Sequence, residues 1–238
     1  MKDTLGTRTE KKIVKEAKKN PIFNIVTLLL LLSIVVAFIL AALQQNWVLL
    51  LVLVFIGALL FLPHILEKFA NIDIPTGLKV YTVLFIYTTL FLGELQNYYA
   101  KYWWWDIMIH ISSGLAFGVI GFIILYILYK AGKIKTSPKM IAMFTFAFAL
   151  AIGALWEIFE FTIDSTLGPI SNHSYMQTVV NGCGLVDTMK DLIDDSIGAL
   201  FSSIMGYLYL KKESGVIVKQ VTKEFKRKNP RMFKRKNG

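Results

Sequence analysis

The sequence predicts an all-α polytopic membrane helix bundle of about six transmembrane helices, with both termini cytoplasmic. Three observations predict it. Hydrophobic residues make up 55% of the 238-residue chain. They are gathered into runs near the roughly 20 residues that a bilayer core requires. Of the 26 Lys and Arg residues, 24 fall in the two terminal segments or in alternate loops, leaving only Lys101 and Lys190 for the opposite side. That asymmetry is the positive-inside pattern, and an even number of spans agrees with it.

The spans follow in order. The first, Ile22–Leu43, is too long for a signal-peptide core and has no small-residue cleavage site after it, so a retained helix is expected. Gln44-Gln45-Asn46 makes a short polar hairpin to the second, Trp47–Leu66. Pro75 and Gly77 mark the next loop before Leu78–Leu92, a short span that could extend to Asn97. Asp106–Tyr129 is the fourth span, and Gly132 and Pro138 bracket the loop to the fifth, Pro138–Ile163. Gly168-Pro169 and Asn181-Gly182 are turn signals before the sixth, Asp187–Leu210. Tyr98, Tyr99, Tyr102 and Trp103 to Trp105 form an aromatic belt at the outer interface. The expected organisation is a basic cytoplasmic segment over 1–21, a six-span domain over 22–210 and a polybasic tail over 211–238.

The formal charge of +10 does not point to nucleic acid, because the cations sit where an anionic leaflet would attract them. The expected partners are membrane lipids, with anionic headgroups at the basic termini. Cys183 is the only cysteine, which excludes an intrachain disulfide and a thiolate metal cage, and it is read as a bystander. No internal repeat is visible, which argues against an inverted-repeat transporter.

Nine of the sixteen acidic residues fall in the outer half of this topology: Glu94, Asp106, Glu157, Glu160, Asp164, Asp187, Asp191, Asp194 and Asp195. Charge at membrane depth costs about 2.5–3.5 kcal/mol per residue at a helix centre, so such groups are functional candidates. Asp106 and His110 are i and i+4. Glu157, Glu160 and Asp164 are i, i+3 and i+7. Asp187, Asp191 and Asp194 are i, i+4 and i+7, with Asp195 at the margin of that face. Ser113, Gly153 and Gly198 share these faces, and small residues let helices approach closely. An acidic, water-accessible pocket between spans four, five and six is therefore expected.

Several carboxylates a few ångströms apart cannot all stay ionised without a cation. Oxygen ligands with one imidazole suit Mg²⁺, Mn²⁺, Zn²⁺ or Fe²⁺. Asp106, His110, Glu157, Glu160, Asp187, Asp191 and Asp194 are the candidate ligands, and His110 and Glu157 the candidate catalytic bases. A proton-sharing polar network is the alternative account of the cluster. Asp106 and Asp187 can also be read as helix N-terminal carboxylates, and Asp164 and Asp195 as water-facing. His64 and Glu67 are expected to pair locally at i, i+3, and His173 to be a solvated loop residue.

The stretch LGELQNYYAKYWWWDIMIHISSGLAFGVIGF, followed by ALWEIFEF and GLVDTMKDLIDDSIGAL, resembles the YjdF-like family of uncharacterised bacterial multi-pass membrane proteins. The matched elements are Gly93-Glu94, Trp104-Trp105-Asp106 with His110, Trp156-Glu157 with Glu160, and Val186-Asp187-Thr188 with Asp191. The resemblance covers about Leu62 to Leu210. It implies the six-helix architecture, a bacterial inner-membrane location and the importance of these polar positions, and it implies no activity. Three functions remain open at this point. One is a metal-dependent enzyme acting on a lipid or phosphate headgroup. The others are a proton- or cation-coupled transporter or channel, and a non-catalytic membrane sensor or assembly protein.

Overall fold

The computed structural model describes residues 21–171, 184–212 and 216–233, the side chains of 167–171 aside. Among them there are helices and turns and no strand. His173, Cys183 and the Asn181-Gly182 turn lie outside the described residues. Two compact units divide the chain at Asn97 and Tyr98.

The first unit contains α1 (Pro21–Leu43), α2 (Trp47–Leu59), α3 (Leu62–Ala70) and α4 (Thr76–Ile86), which continues as a π-helix over Tyr87–Leu95. The α1–α2 hairpin forms as its polar residues suggest. Gln45 adopts a positive φ of 54°, and the Asn46 side chain accepts the Leu49 amide at 3.1 Å, satisfying one free N–H at the start of α2. The expected second span is not one straight helix. It breaks at Leu60-Phe61 and bends by 46° between α2 and α3. Pro63 stands in the first turn of α3, where its missing N–H and its ring prevent the preceding helix from running on. Phe23, Ile34, Leu53, Ile56, Val83 and Phe91 make the core of this unit, and Ser33 and Tyr87 share a hydroxyl hydrogen bond of 2.8 Å.

The expected His64–Glu67 pair is replaced by a longer-range one. Glu67 Oε2 takes the ammonium of buried Lys79 and Oε1 accepts the Ile74 amide at 2.7 Å, while the His64 ring packs 5.1 Å from Phe23. A turn ending on Asn71 (φ 51°) brings α4 back beside α3, so the cation twelve residues on outcompetes the imidazole one turn away.

The second unit contains the short α5 (Tyr98–Lys101), α6 (Trp105–Lys130), α7 (Pro138–Ser171), α8 (Leu185–Lys212), α9 (Val216–Lys228) and a 3₁₀ turn, Pro230–Phe233. α6, α7 and α8 pack against one another pairwise. Their register can be read from the small residues. Gly114 abuts Asp195 and Ala199, Gly118 abuts Ser202, and Gly206 abuts the Phe122 ring. α6 and α8 therefore run parallel. Gly153 meets Asp195, and Gly121 meets Phe148, so α7 runs the other way. Gly198 lies against the Ile111 carbonyl so tightly that any Cβ would collide with backbone. Lipid gives helices no hydrophobic drive to associate, so such close backbone approach is what holds them.

Among the described residues, four helices are long and apolar enough to cross a membrane, or five if the bent α2–α3 pair counts as one span. The sixth expected span, α8, has the length at 28 residues but not the apolarity. Asp187, Asp191, Asp194 and Asp195 crowd its first turns. α7 also differs from expectation: it runs through Gly168-Pro169 to Ser171, for 34 residues. A proline that late removes one N–H from the final turn without disturbing the body of the helix.

Candidate metal centre

The parallel pairing of α6 with α8, and the reversed α7, bring three stretches of acid to one end of the three-helix bundle. His110 stands at the middle. Its Nε2 lies 3.6 Å from Asp106 Oδ1, one turn back on α6, and 3.8 Å from Asp191 Oδ1 on α8. Its Nδ1 lies 3.5 Å from Asp195 Oδ2. Asp195 is 2% exposed and accepts a 2.8 Å hydrogen bond from the Ser113 hydroxyl on its other oxygen. Gly153 of α7 makes room for this carboxylate, since a Cβ there would overlap it.

α7 contributes Glu157 and Glu160, both buried. The Trp156 indole donates to Glu160 Oε1 at 2.7 Å. Glu157 is 3% exposed, and neither of its carboxylate oxygens has a hydrogen-bond partner among the described residues. Thr188 of α8 comes near it without reaching hydrogen-bonding geometry. A buried polar group is ordinarily paired, and an unpaired one costs about 1–3 kcal/mol, more when charged. Among the described residues, the only ion pairs made by Asp106, Asp191 and Asp195 are to His110.

Two groups of three residues present ligand atoms within 4.8 Å of one another: Asp106, His110 and Asp191, and Glu157, Glu160 and Asp191. These buried groups can hold a metal ion. Of the other candidates, Asp187 and Asp194 are half-buried and outside both groups, as is Asp164. Glu94 belongs to the first unit, at the exposed end of the π-helix. Asp195, read at the margin of the acidic face with a water-facing alternative, is buried behind His110. It sits i+4 from Asp191, and the signal for it was the pair of glycines, Gly114 admitting its backbone and Gly153 leaving space for its side chain. Within the expected aromatic belt, Trp105 is buried against Tyr98 and Trp104, while Trp103 stays exposed.

At the other end of the same bundle the polar side chains close on backbone. Thr145 donates to Ile141 O, Ser202 to Ala199 O and Ser203 to Ala142 O, at 2.7–2.8 Å. Beyond them Phe122, Tyr126 and Tyr209 pack ring to ring.

Long apolar helices joined through glycine contacts, with ionisable groups gathered at one end, define a multi-pass α-helical membrane protein. The family of predicted membrane proteins designated DUF2238 matches residues 24–212, and the chain belongs to it. An "Uncharacterized protein" of Thermotoga maritima is 28% identical over 155 residues, covering 65% of this chain and 73% of its own length. No solved structure matches the chain.

Proposed function

We propose that this protein binds a divalent cation in the acidic pocket of α6, α7 and α8 and uses it to act on a lipid headgroup or other phosphate group at the extracytoplasmic side of a bacterial inner membrane. The observation that carries the proposal is Glu157, a carboxylate shut away from water with no hydrogen-bond partner among the described residues, near other carboxylates. Desolvated anions in that arrangement call for a cation. The ligand set, oxygens with one imidazole, fits Mg²⁺, Mn²⁺, Zn²⁺ or Fe²⁺. Asp195 supports His110 as a ligand: a carboxylate at Nδ1 holds the ring with Nε2 turned to the pocket, as in metal sites whose histidines are oriented from behind.

A divalent ion there would offset phosphate charge and lower the pKa of a bound water. Glu157, with two oxygens, can ligate through one and accept a proton on the other. The motif order from Gly93-Glu94 to Asp191 supports the narrower YjdF-like assignment. The basic recess on α9, lined by Lys223, Lys226, Arg227, Pro230 and Phe233, supports contact of the tail with anionic headgroups. Transport is disfavoured because Thr145, Ser202 and Ser203 are satisfied by backbone and, among the described residues, leave no chain of polar groups through the bundle.

Metal analysis of the full-length chain purified in detergent tests the first half of this reading. A stoichiometric divalent ion in the wild type, absent from Glu157→Gln, is expected. A helical, folded wild type that takes up no divalent ion would remove the proposal. Release of inorganic phosphate from phosphatidic acid in proteoliposomes, dependent on added Mn²⁺ and lost in Glu157→Gln, tests the second half.

A further inference from the structure

Asp191 belongs to both ligand groups. We infer that the pocket is built for a pair of divalent cations bridged by the Asp191 carboxylate, one ion held with Asp106 and His110 and the other with Glu157 and Glu160. This rests on the cation-binding reading above and goes beyond it in number and arrangement. The bridge is chemically available. Asp191 Oδ1 faces His110 Nε2 at 3.8 Å, and a carboxylate has a second oxygen to give to the α7 side. Carboxylate-bridged ions of this kind stand about 3.5–4 Å apart.

Charge supports two ions over one. The two groups carry four carboxylates between them, Asp106, Asp191, Glu157 and Glu160. One divalent ion compensates half of these four ligand carboxylates and two compensate all four, Asp195 lying outside both groups behind His110. Glu157 adds an independent observation. A single ion seated by His110 would be served by Asp106 and Asp191 and would leave both buried Glu157 oxygens without a partner. An ion on the α7 side gives them a partner that no described residue supplies. The two positions also differ in taste. The imidazole-bearing one favours Zn²⁺, Fe²⁺ or Mn²⁺, and the all-oxygen one accepts Mg²⁺ or Mn²⁺.

Mn²⁺ serves both positions and is paramagnetic, so it is the probe. The full-length chain is stripped with chelator, loaded with Mn²⁺, freed of excess and measured for Mn²⁺ per chain and for its low-temperature electron paramagnetic resonance spectrum. The expected result is two ions per chain with an exchange-coupled spectrum. Asp106→Asn and Glu160→Gln, on opposite sides of the bridge, should each retain one ion with an isolated-ion spectrum, and Asp191→Asn should lose the coupling altogether. One uncoupled ion per wild-type chain would overturn the bridged pair while leaving the cation-binding reading standing. No bound Mn²⁺ in a chain of unchanged helical content would overturn both.

Discussion

Glu67 with Lys79 in the first unit, and the acids of α6 to α8 in the second, are two places where this chain takes charge out of water, and they are balanced differently. Lys79 and Glu67 cancel, and the Ile74 amide satisfies the carboxylate's remaining oxygen. Nothing further is required, and the pair works as a joint between α3 and α4. The acids around His110 share one imidazole among several carboxylates, and Glu157 has no partner among the described residues. A closed pair is architecture. The unbalanced acids are, on the proposed reading, a cation site.

Removing a charge from each place should then have opposite signs. The largest effect is expected for Lys79→Met, which strands Glu67; unfolding of the purified protein should show a loss of about 3 kcal/mol. The Glu67→Gln/Lys79→Met double variant should recover most of it. A single variant as stable as wild type would reduce the pair to a surface contact. Next comes Gly198→Ala, which drives a methyl into the Ile111 carbonyl and should cost about 2 kcal/mol and weaken cation uptake as α6 and α8 separate.

Glu157→Gln should go the other way. In chelator it should be more stable than wild type by about 1 kcal/mol, because a repelling, desolvated charge is gone. With Mn²⁺ added the order should reverse, since the ion stabilises only the chain that binds it. Equal response of both proteins to Mn²⁺ would erase the contrast between the two sites. Ser113→Ala removes the hydroxyl on Asp195 and should cost about 1 kcal/mol or less, with a roughly tenfold loss in cation affinity from a less firmly held His110. Gly77→Ala, with nothing within 4 Å of the added methyl, should be silent in every assay.

The helices and the cluster were legible in the sequence for a shared reason. Helical spacing puts Asp106 under His110 and Glu157 under Glu160 without any knowledge of partners, and charge asymmetry fixes which helix ends coincide. What spacing cannot supply is where a neighbouring helix crosses. Asp194 and Asp195 are about 100° apart on α8, and choosing the second required the approach at Gly114 and Gly153. The break at Pro63 was available from its chemistry, yet the apolar run on either side masked it. The Glu67–Lys79 pair was hidden by a turn, and no spacing rule anticipates the π-helix over Tyr87–Leu95. α8 was read as the last of six hydrophobic segments, although the acids that make it interesting also make it too polar to pass as a span on hydropathy.

The length of α7 has a further consequence. Thirty-four residues reach about 51 Å at about 1.5 Å each, against a hydrocarbon layer of about 30 Å. Held upright, the rod would leave roughly two-fifths of its length in or beyond the headgroup zone, and Glu157 and Glu160 lie about 29 and 33 Å from its start. On the proposed reading, ions would arrive there from the aqueous phase without crossing oil, and a lipid would keep its acyl chains anchored while offering its polar head. A centre at such a depth would have no need to extract what it works on.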